Sequence, residues 1–402
     1  MSVRVLLLGA RLCRNFGGPS LLATTVGVLD TVLEDATYTF VSPTSEDLPL
    51  GGAYGVHVIV DQSRKRLGPA AMAKALLGLS MGSQETRELV STYAEADIVV
   101  DIWGIGFADS VGSDTFTARA LEGVRLALGK LFGKPVVKYT ADLGPFESRW
   151  NRFFAKLYLQ HAVELILARS DATRQRLDRL GVTTPIRVCP DTAFLLESHM
   201  TPLAEDLSRQ KVDCPLVGLS VSHMAARQSD SPEAYLESMA GLADHIVSSI
   251  GAKIVLIPNE LSPDTAFDDA HVAKEVWNRM TGKAQVAVVE GEYTAQQLKG
   301  IIQHCHVVVA ARYHTIVASL SQGIPVLAIG WHAKYPGVMG LVGQQEYLCS
   351  AKSLQLDDLK HKFDDLWQSR DRARRAINGA LPGIHEAILR GGEEVRLLLN
   401  RK

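Results

Sequence analysis

The chain has 402 residues, too many for one compact core, so two domains are expected. Its 47% hydrophobic and 21% charged residues are ordinary for a globular protein and exclude a disordered one. A net charge of −2 gives no general attraction to nucleic acid, so an anionic ligand must be met by a local cluster.

The five cysteines (Cys13, Cys189, Cys214, Cys305, Cys349) are scattered and form no C-x-x-C pair, which favours a reducing cytosol over a disulfide framework. The opening apolar run, Val5 to Leu8, is too short for a signal-peptide core and is followed by Arg11 and Arg14. No apolar run approaches the roughly 18 residues that span a membrane. A cytoplasmic protein is the expectation.

Short apolar runs alternate with longer helical patterns from end to end. The predicted strands of the first half are 3–8, 38–42, 56–60, 97–102, 134–139, 164–168 and 185–189. Those of the second half are 215–221, 252–258, 284–290, 306–311 and 325–330. Continuous Val, Ile and Leu, rather than strict alternation, predict parallel sheets covered on both faces. Helices are predicted over 114–132, 149–161, 171–180, 233–250, 267–281 and 294–304, and Pro19 fits the first turn of another. The polar stretch 197–213 is the expected linker, and the tail beyond Ser353 reads as charged helix broken in two at Pro382–Gly383. The expected architecture is α/β, with two parallel-sheet domains, 1–200 and 201–402, facing a cleft.

Candidate functional residues lie at the carboxyl ends of these strands, where open α/β sheets bind ligands. After the first strand, Gly17 and Gly18 would let backbone N–H groups approach a bound oxygen at a helix start, and Asn15 would either meet a sugar hydroxyl or cap the turn. The run DIVVDIWGIGFADS gives G-x-G-x-x-D, an incomplete dinucleotide fingerprint. Gly104 and Gly106 there are expected to shape a loop, with Asp101 or Asp109 open to an acceptor hydroxyl. Gly144–Pro145 reads as turn punctuation. Arg169 ends a buried strand, and Asp191 either caps a turn or faces the cleft. In the second half, Ser220, Ser222 and His223 follow one strand, and Asn259 and Glu260 the next. His304–Cys305–His306 sits at a helix–strand junction where neighbouring side chains diverge, so no metal site is expected.

The strongest chemistry lies in VVVAARYHTIVASLSQGIPVLAIGWHAKYPGVMG, residues 307–340. Arg312 offers a planar fork, Lys334 a point charge and His314 a group that titrates near neutrality. Together they could meet one small anionic ligand and move a proton. The competing reading buries His314 in the core and pairs Arg312 structurally.

This segment resembles the hallmark region of the polysaccharide pyruvyl transferase family: R-x-H after a strand, a small-residue helix, G-x-P, a strand, then an aromatic and a lysine. NFGG, ADIVVDIWGIG, LGPF, ARSDATRQRL and PDTAF match in order and spacing, so the likeness covers most of the chain. Pro19 stands where the family carries an acidic residue, Asn259 where many relatives carry histidine, and Trp331–His332 where a tyrosine-led turn is usual; these departures imply an unusual acceptor.

The resemblance implies two Rossmann-like domains in a glycosyltransferase-B-like arrangement, residues 1–200 on the acceptor side and 201–402, with C-terminal helices, on the donor side. It implies transfer of a pyruvyl group from phosphoenolpyruvate to a saccharide as a ketal, with release of phosphate and no cofactor. His314 would be the general acid. Arg312 and Lys334 would hold carboxylate and phosphate, with Arg169 a further cation. Asn15, Gly17, Gly18, Gly106, Asp109, Asp191, His223, Asn259 and Glu260 would line the substrates. Asp109, Asp191 and Glu260 are the candidate bases. Two rivals stay open: a metal-independent nucleotide-sugar glycosyltransferase of the same architecture, and a non-catalytic saccharide-binding member. The acceptor is left as a saccharide or lipid-linked glycan; a homo-oligomer and a peripheral contact with the inner membrane face through the C-terminal helices also stay open.

Overall fold

The computed structural model describes residues 2–9, 11–61, 64–109 and 115–401. The chain folds as two units. One comprises Met1–Cys13, Leu21–Thr192 and Glu386–Lys402, the other Arg14–Ser20 and Ala193–His385. This differs from a single cut at residue 200 in three places, the first being that the main boundary falls between Thr192 and Ala193. The loop Arg14–Ser20 groups with the second unit because Asn15 bridges Glu260 and Leu261 N–H donates to Arg14 O at 2.9 Å. The chain end returns to the first unit because Val395 is fully buried in its core.

The first unit holds β1 (Val3–Leu8), β2 (Ala36–Ser42), β3 (Val56–Val60), β4 (Ile98–Asp101), β5 (Ile105–Gly106), β6 (Val136–Leu143), β7 (Leu165–Ala168) and β8 (Ile186–Val188). The second holds β9 (Leu216–Ser220), β10 (Lys253–Leu256), β11 (Val286–Val288), β12 (Val307–Ala310), β13 (Val326–Gly330) and β14 (Leu348–Ser350). Every strand pairing is parallel. The first sheet runs β3-β2-β1-β4-β6-β7-β8, with β5 on β6; the second runs β11-β10-β9-β12-β13-β14. All twelve predicted strands are present. The short β5 and β14 escaped notice because two or three residues carry no periodic signal.

Burial explains the parallel arrangement. β4, β6, β7, β9 and β12 are buried at every position, which requires cover on both faces. In the first unit the two faces pack into separate apolar clusters, one around Leu6, Val99 and Ile166, the other around Leu7, Val100 and Leu167. Each sheet reverses its strand order once. In the first this happens between β1 and β4, where Leu8 pairs with Asp101; in the second between β9 and β12, where Ser220 pairs with Ala310. A crevice opens at the carboxyl edge of such a reversal, and both candidate sites lie there.

Three helical expectations change. The range 114–132 becomes Phe116–Glu122 and Val124–Leu131, separated at Gly123, where a Cβ would stand 2.0 Å from the Tyr158 ring; residue 114 lies outside the described residues. The predicted linker contains the helix Pro202–Gln210, because Thr201 caps the Ala204 N–H and Ala204 and Leu207 are buried. Pro382 does not break the tail: Leu356–Leu399 is one helix, held by a buried stripe that includes Leu359, Phe363, Leu366, Ile377 and Ile384. A proline removes one hydrogen bond, and burial of that stripe on both sides of it offsets the loss.

Candidate functional site

In the second unit, Arg312 is the residue before the helix Tyr313–Leu320, so the end of β12 delivers Arg312, Tyr313 and His314 in consecutive positions. Arg312 does not stand free. Its Nε and Nη2 donate to Asp269 Oδ2 and Oδ1 at 2.7 and 2.6 Å, and Nη1 lies 2.8 Å from Glu260 Oε2. Asp269 is completely buried and also accepts the backbone N–H groups of His223 and Glu260, each at 3.0 Å. Burial alone would raise its pKa; the Arg312 charge and the hydrogen bonds outweigh that and hold the carboxyl below its ordinary value.

His223 joins the same cluster. Its Nδ1 lies 3.1 Å from Asp269 Oδ1 and 2.8 Å from Arg312 Nη2. Protonated at Nδ1 it donates to the carboxylate; protonated at Nε2 it accepts from the guanidinium. Asn259 is buried and donates to Thr315 Oγ1 at 2.9 Å, which in turn lies 3.2 Å from Ser220 Oγ. This polar chain joins the ends of β9, β10 and β12.

His314 is partly buried and lies against the loop Arg14–Ser20. A Cβ on Gly17 would stand 2.4 Å from His314 Nδ1 and 2.5 Å from Cε1, so only glycine leaves room for the imidazole. Gly17 thus serves the site as a floor beneath that ring. Its N–H is taken: Asn15 Oδ1 accepts the N–H of Gly17 at 2.7 Å and of Gly18 at 3.2 Å. Asn15 caps the helix Gly17–Val32, and the expected backbone anion cradle is filled by this chain's own amide.

Lys334 is 7% exposed and sits in an aromatic cage. Its Nζ lies 5.0 Å from the ring centres of Tyr313 and Trp331 and 5.6 Å from that of Tyr335. Trp331 Nε1 and Tyr335 Oη both donate to Ala311 O, at 3.1 and 2.8 Å, which fixes two walls of the cage. The Tyr313 ring also meets His314, with ring centres 5.4 Å apart. One tyrosine therefore borders both the imidazole and the ammonium.

In the first unit, Arg169 and Asp191 are joined to each other. Nη2 and Oδ2 are 2.9 Å apart in a pair 2% and 0% exposed, and a Cβ on Gly104 would stand 2.3 Å from Arg169 Nη2. Asp109 accepts the N–H of Glu147 and of Ser148, and its other oxygen lies 3.6 Å from Arg119. Burial would raise its pKa, but hydrogen bonds from the Asn151 side chain and from Glu147 and Ser148 hold it below the ordinary carboxylate value. All three candidate bases, Asp109, Asp191 and Glu260, thus face a guanidinium.

Lys138 was missed, although a lysine inside the apolar strand KPVVKY is a visible signal. Its Nζ donates to Asp101 Oδ2 and to Trp103 O, each at 2.8 Å. Beside it β6 shifts register between Lys138 and Ala141, with Thr140 at φ +43°. Such a bulge re-aims the neighbouring side chains. Lys138, Asp101, Trp103, Gly106, Leu8 and Arg119 line a cavity of about 350 Å³ at the β1/β4 reversal. Arg119 pairs with Glu122 at 2.9 Å and Arg125 with Asp61 at 2.7 Å. Each cation of this pocket has its own carboxylate.

Among the described residues, no group of three or more His, Cys, Asp or Glu side chains gathers as a metal would require. No helix of the described residues is long and apolar enough to cross a membrane.

Two Rossmann-like parallel-sheet units, each with polar side chains gathered at its strand-order reversal, define a glycosyltransferase-B-like protein. Solved structures agree on that fold. HepE from Anabaena in complex with UDP matches at a TM-score of 0.60, with 14% identity and full coverage of both chains. UDP-GlcNAc 2-epimerase from Neisseria meningitidis bound to UDP-GlcNAc matches at 0.59, with 12% identity and full coverage of both. The family model of polysaccharide pyruvyl transferase matches residues 36–333, and the chain belongs to that family. The amylovoran biosynthesis protein AmsJ of Erwinia amylovora is 23% identical over 429 residues, covering 99% of this chain and 98% of its own.

Proposed function

We propose that this pyruvyl transferase family member moves a pyruvyl group from phosphoenolpyruvate onto two hydroxyls of a saccharide, forming a ketal and releasing phosphate. The observation that carries the reading is the layer at the β12 and β13 ends: an imidazole seated on Gly17, a caged ammonium and a guanidinium, in a chain of this family.

His314 delivers a proton to the methylene carbon, the C=C bond becomes a methyl group, and C2 takes on oxocarbenium character. One sugar hydroxyl bonds to C2 and its proton restores His314. The C2–O bond to phosphate then breaks, its electron pair leaving with phosphate, and the second hydroxyl closes the ketal as its proton passes to the departing phosphate. Lys334 stabilises the departing phosphate. Arg312 meets the donor carboxylate through Nη1, the arm held by the partly buried Glu260, while Asp269 keeps the other arms oriented. The first unit's cavity, with Gly106 at its lining and Asp109 near Arg119, carries balanced charge pairs whose donors and acceptors suit a neutral polyol.

Incubation with phosphoenolpyruvate and a glycan panel tests this: phosphate should appear and one acceptor should gain the mass of a pyruvyl ketal. The HepE and epimerase structures carry UDP or UDP-GlcNAc, so a parallel incubation with sugar nucleotides is included. Release of UDP without phosphate would favour the glycosyltransferase reading, and silence in both arms a saccharide binder. A smaller change should also register. Gly17→Ala forces the His314 ring to move, so turnover should fall roughly ten- to a hundredfold with the melting temperature little changed. Unchanged turnover would remove Gly17 from the site.

A further inference from the structure

Within the helix Arg64–Leu77, the described side chains from residue 68 onward pack with small ones inward and large ones outward. Its small residues Ala70 and Ala71 are buried in the first unit's core, while Met72, Leu76 and Leu77 point outward. The turn that follows adds Leu79 and Met81. All five of these large apolar side chains are more than half exposed, reaching 70% at Leu76 and Leu77. The turn is hydrogen-bonded: Gly78, at φ +67°, donates to Lys74 O at 3.1 Å and Leu79 N–H to Ala73 O at 3.2 Å. The leucines are therefore presented by a defined backbone. Apolar side chains grouped in this way mark an interaction surface.

Charge selects the partner. Between Gln62 and Gln84 the sequence carries Arg64, Lys65, Arg66 and Lys74 and no acidic residue, in a chain whose net charge is −2. Leucine and methionine beside an unbalanced basic stretch match the interface of an anionic bilayer, where the apolar groups enter the acyl boundary and the cations meet headgroups. We propose that Arg64–Met81 is a membrane-docking element that holds the first unit on an anionic lipid surface. This goes beyond the transferase reading and does not depend on it. It also moves the expected membrane contact away from the C-terminal helix.

The test uses the full chain and sedimentation with vesicles of phosphatidylcholine alone or of equimolar phosphatidylcholine and phosphatidylglycerol. The protein should partition onto the anionic vesicles, less at high salt, and scarcely onto the neutral ones. Leu76→Glu/Leu77→Glu should lower the partition coefficient roughly tenfold or more with an unchanged melting temperature, and Lys74→Glu should lower it less. No partitioning of the wild-type chain, or equal partitioning of the leucine variant, would overturn the proposal. So would a dimer in light scattering that the leucine variant dissolves, without vesicle binding; the occupant would then be a second copy.

Discussion

Replacing His314 with alanine is expected to lower phosphate release by about a hundred- to ten-thousand-fold, the usual contribution of a positioned general acid. Donor affinity should change far less. The charges proposed to hold an anionic donor sit on Lys334 and Arg312, and neither depends on the imidazole for its position: rings of Tyr313, Trp331 and Tyr335 cage the lysine, and Asp269 anchors the arginine. The measurement is a single-turnover rate beside a donor titration. A variant that turns over at the wild-type rate would end the acid assignment. One that loses donor binding and thermal stability together would return His314 to a packing role.

Asp269→Asn is expected to be the most destabilising single change in the second unit, by about 3–5 kcal/mol, since it leaves a buried guanidinium without its bidentate partner. Asparagine keeps the shape but removes the charge, and Glu260, on the outer arm, supplies one contact. The pH dependence gives an independent check. The folded-state pKa of Asp269 is lowered, so the unfolded chain binds its proton more readily in the window between the lowered and the ordinary carboxylate values. Stability from this group is complete above that window and is lost as pH falls through it. Urea unfolding across the acid range should show a shallower fall for the variant than for the wild type. Equal slopes would mean that the Arg312–Asp269 pair contributes nothing to stability.

The position of chemistry along the chain was legible where it depends on local pattern. Arg312 and His314 after an apolar run, and Lys334 after the next, can be assigned to strand ends from the sequence because strand and helix signals are short-range. What those groups touch was not legible. Arg312 reads either as a ligand-binding fork or as a structurally paired cation until the fold brings Asp269, 43 residues away in sequence, onto it; Arg169 reads as a spare cation until Asp191 is found beside it. Asp269 is one of two adjacent aspartates at the start of a helix, and its neighbour Asp268 caps that helix. Asn15 shows the reverse case: capping was one of its two readings, and the local geometry realises it.

Periodicity and turn chemistry in the amino-acid sequence by themselves determined the strands, their parallel pairing, the two-unit α/β class and the strand ends that carry charge. Only the tertiary structure decided which charges are already matched, which glycine makes room for an imidazole, and that Ala70 and Ala71 rather than Leu76 and Leu77 face the core. The division has one physical cause. Backbone preference and hydrophobic period act over a few residues, whereas desolvation and ion pairing depend on neighbours that only the folded chain brings together.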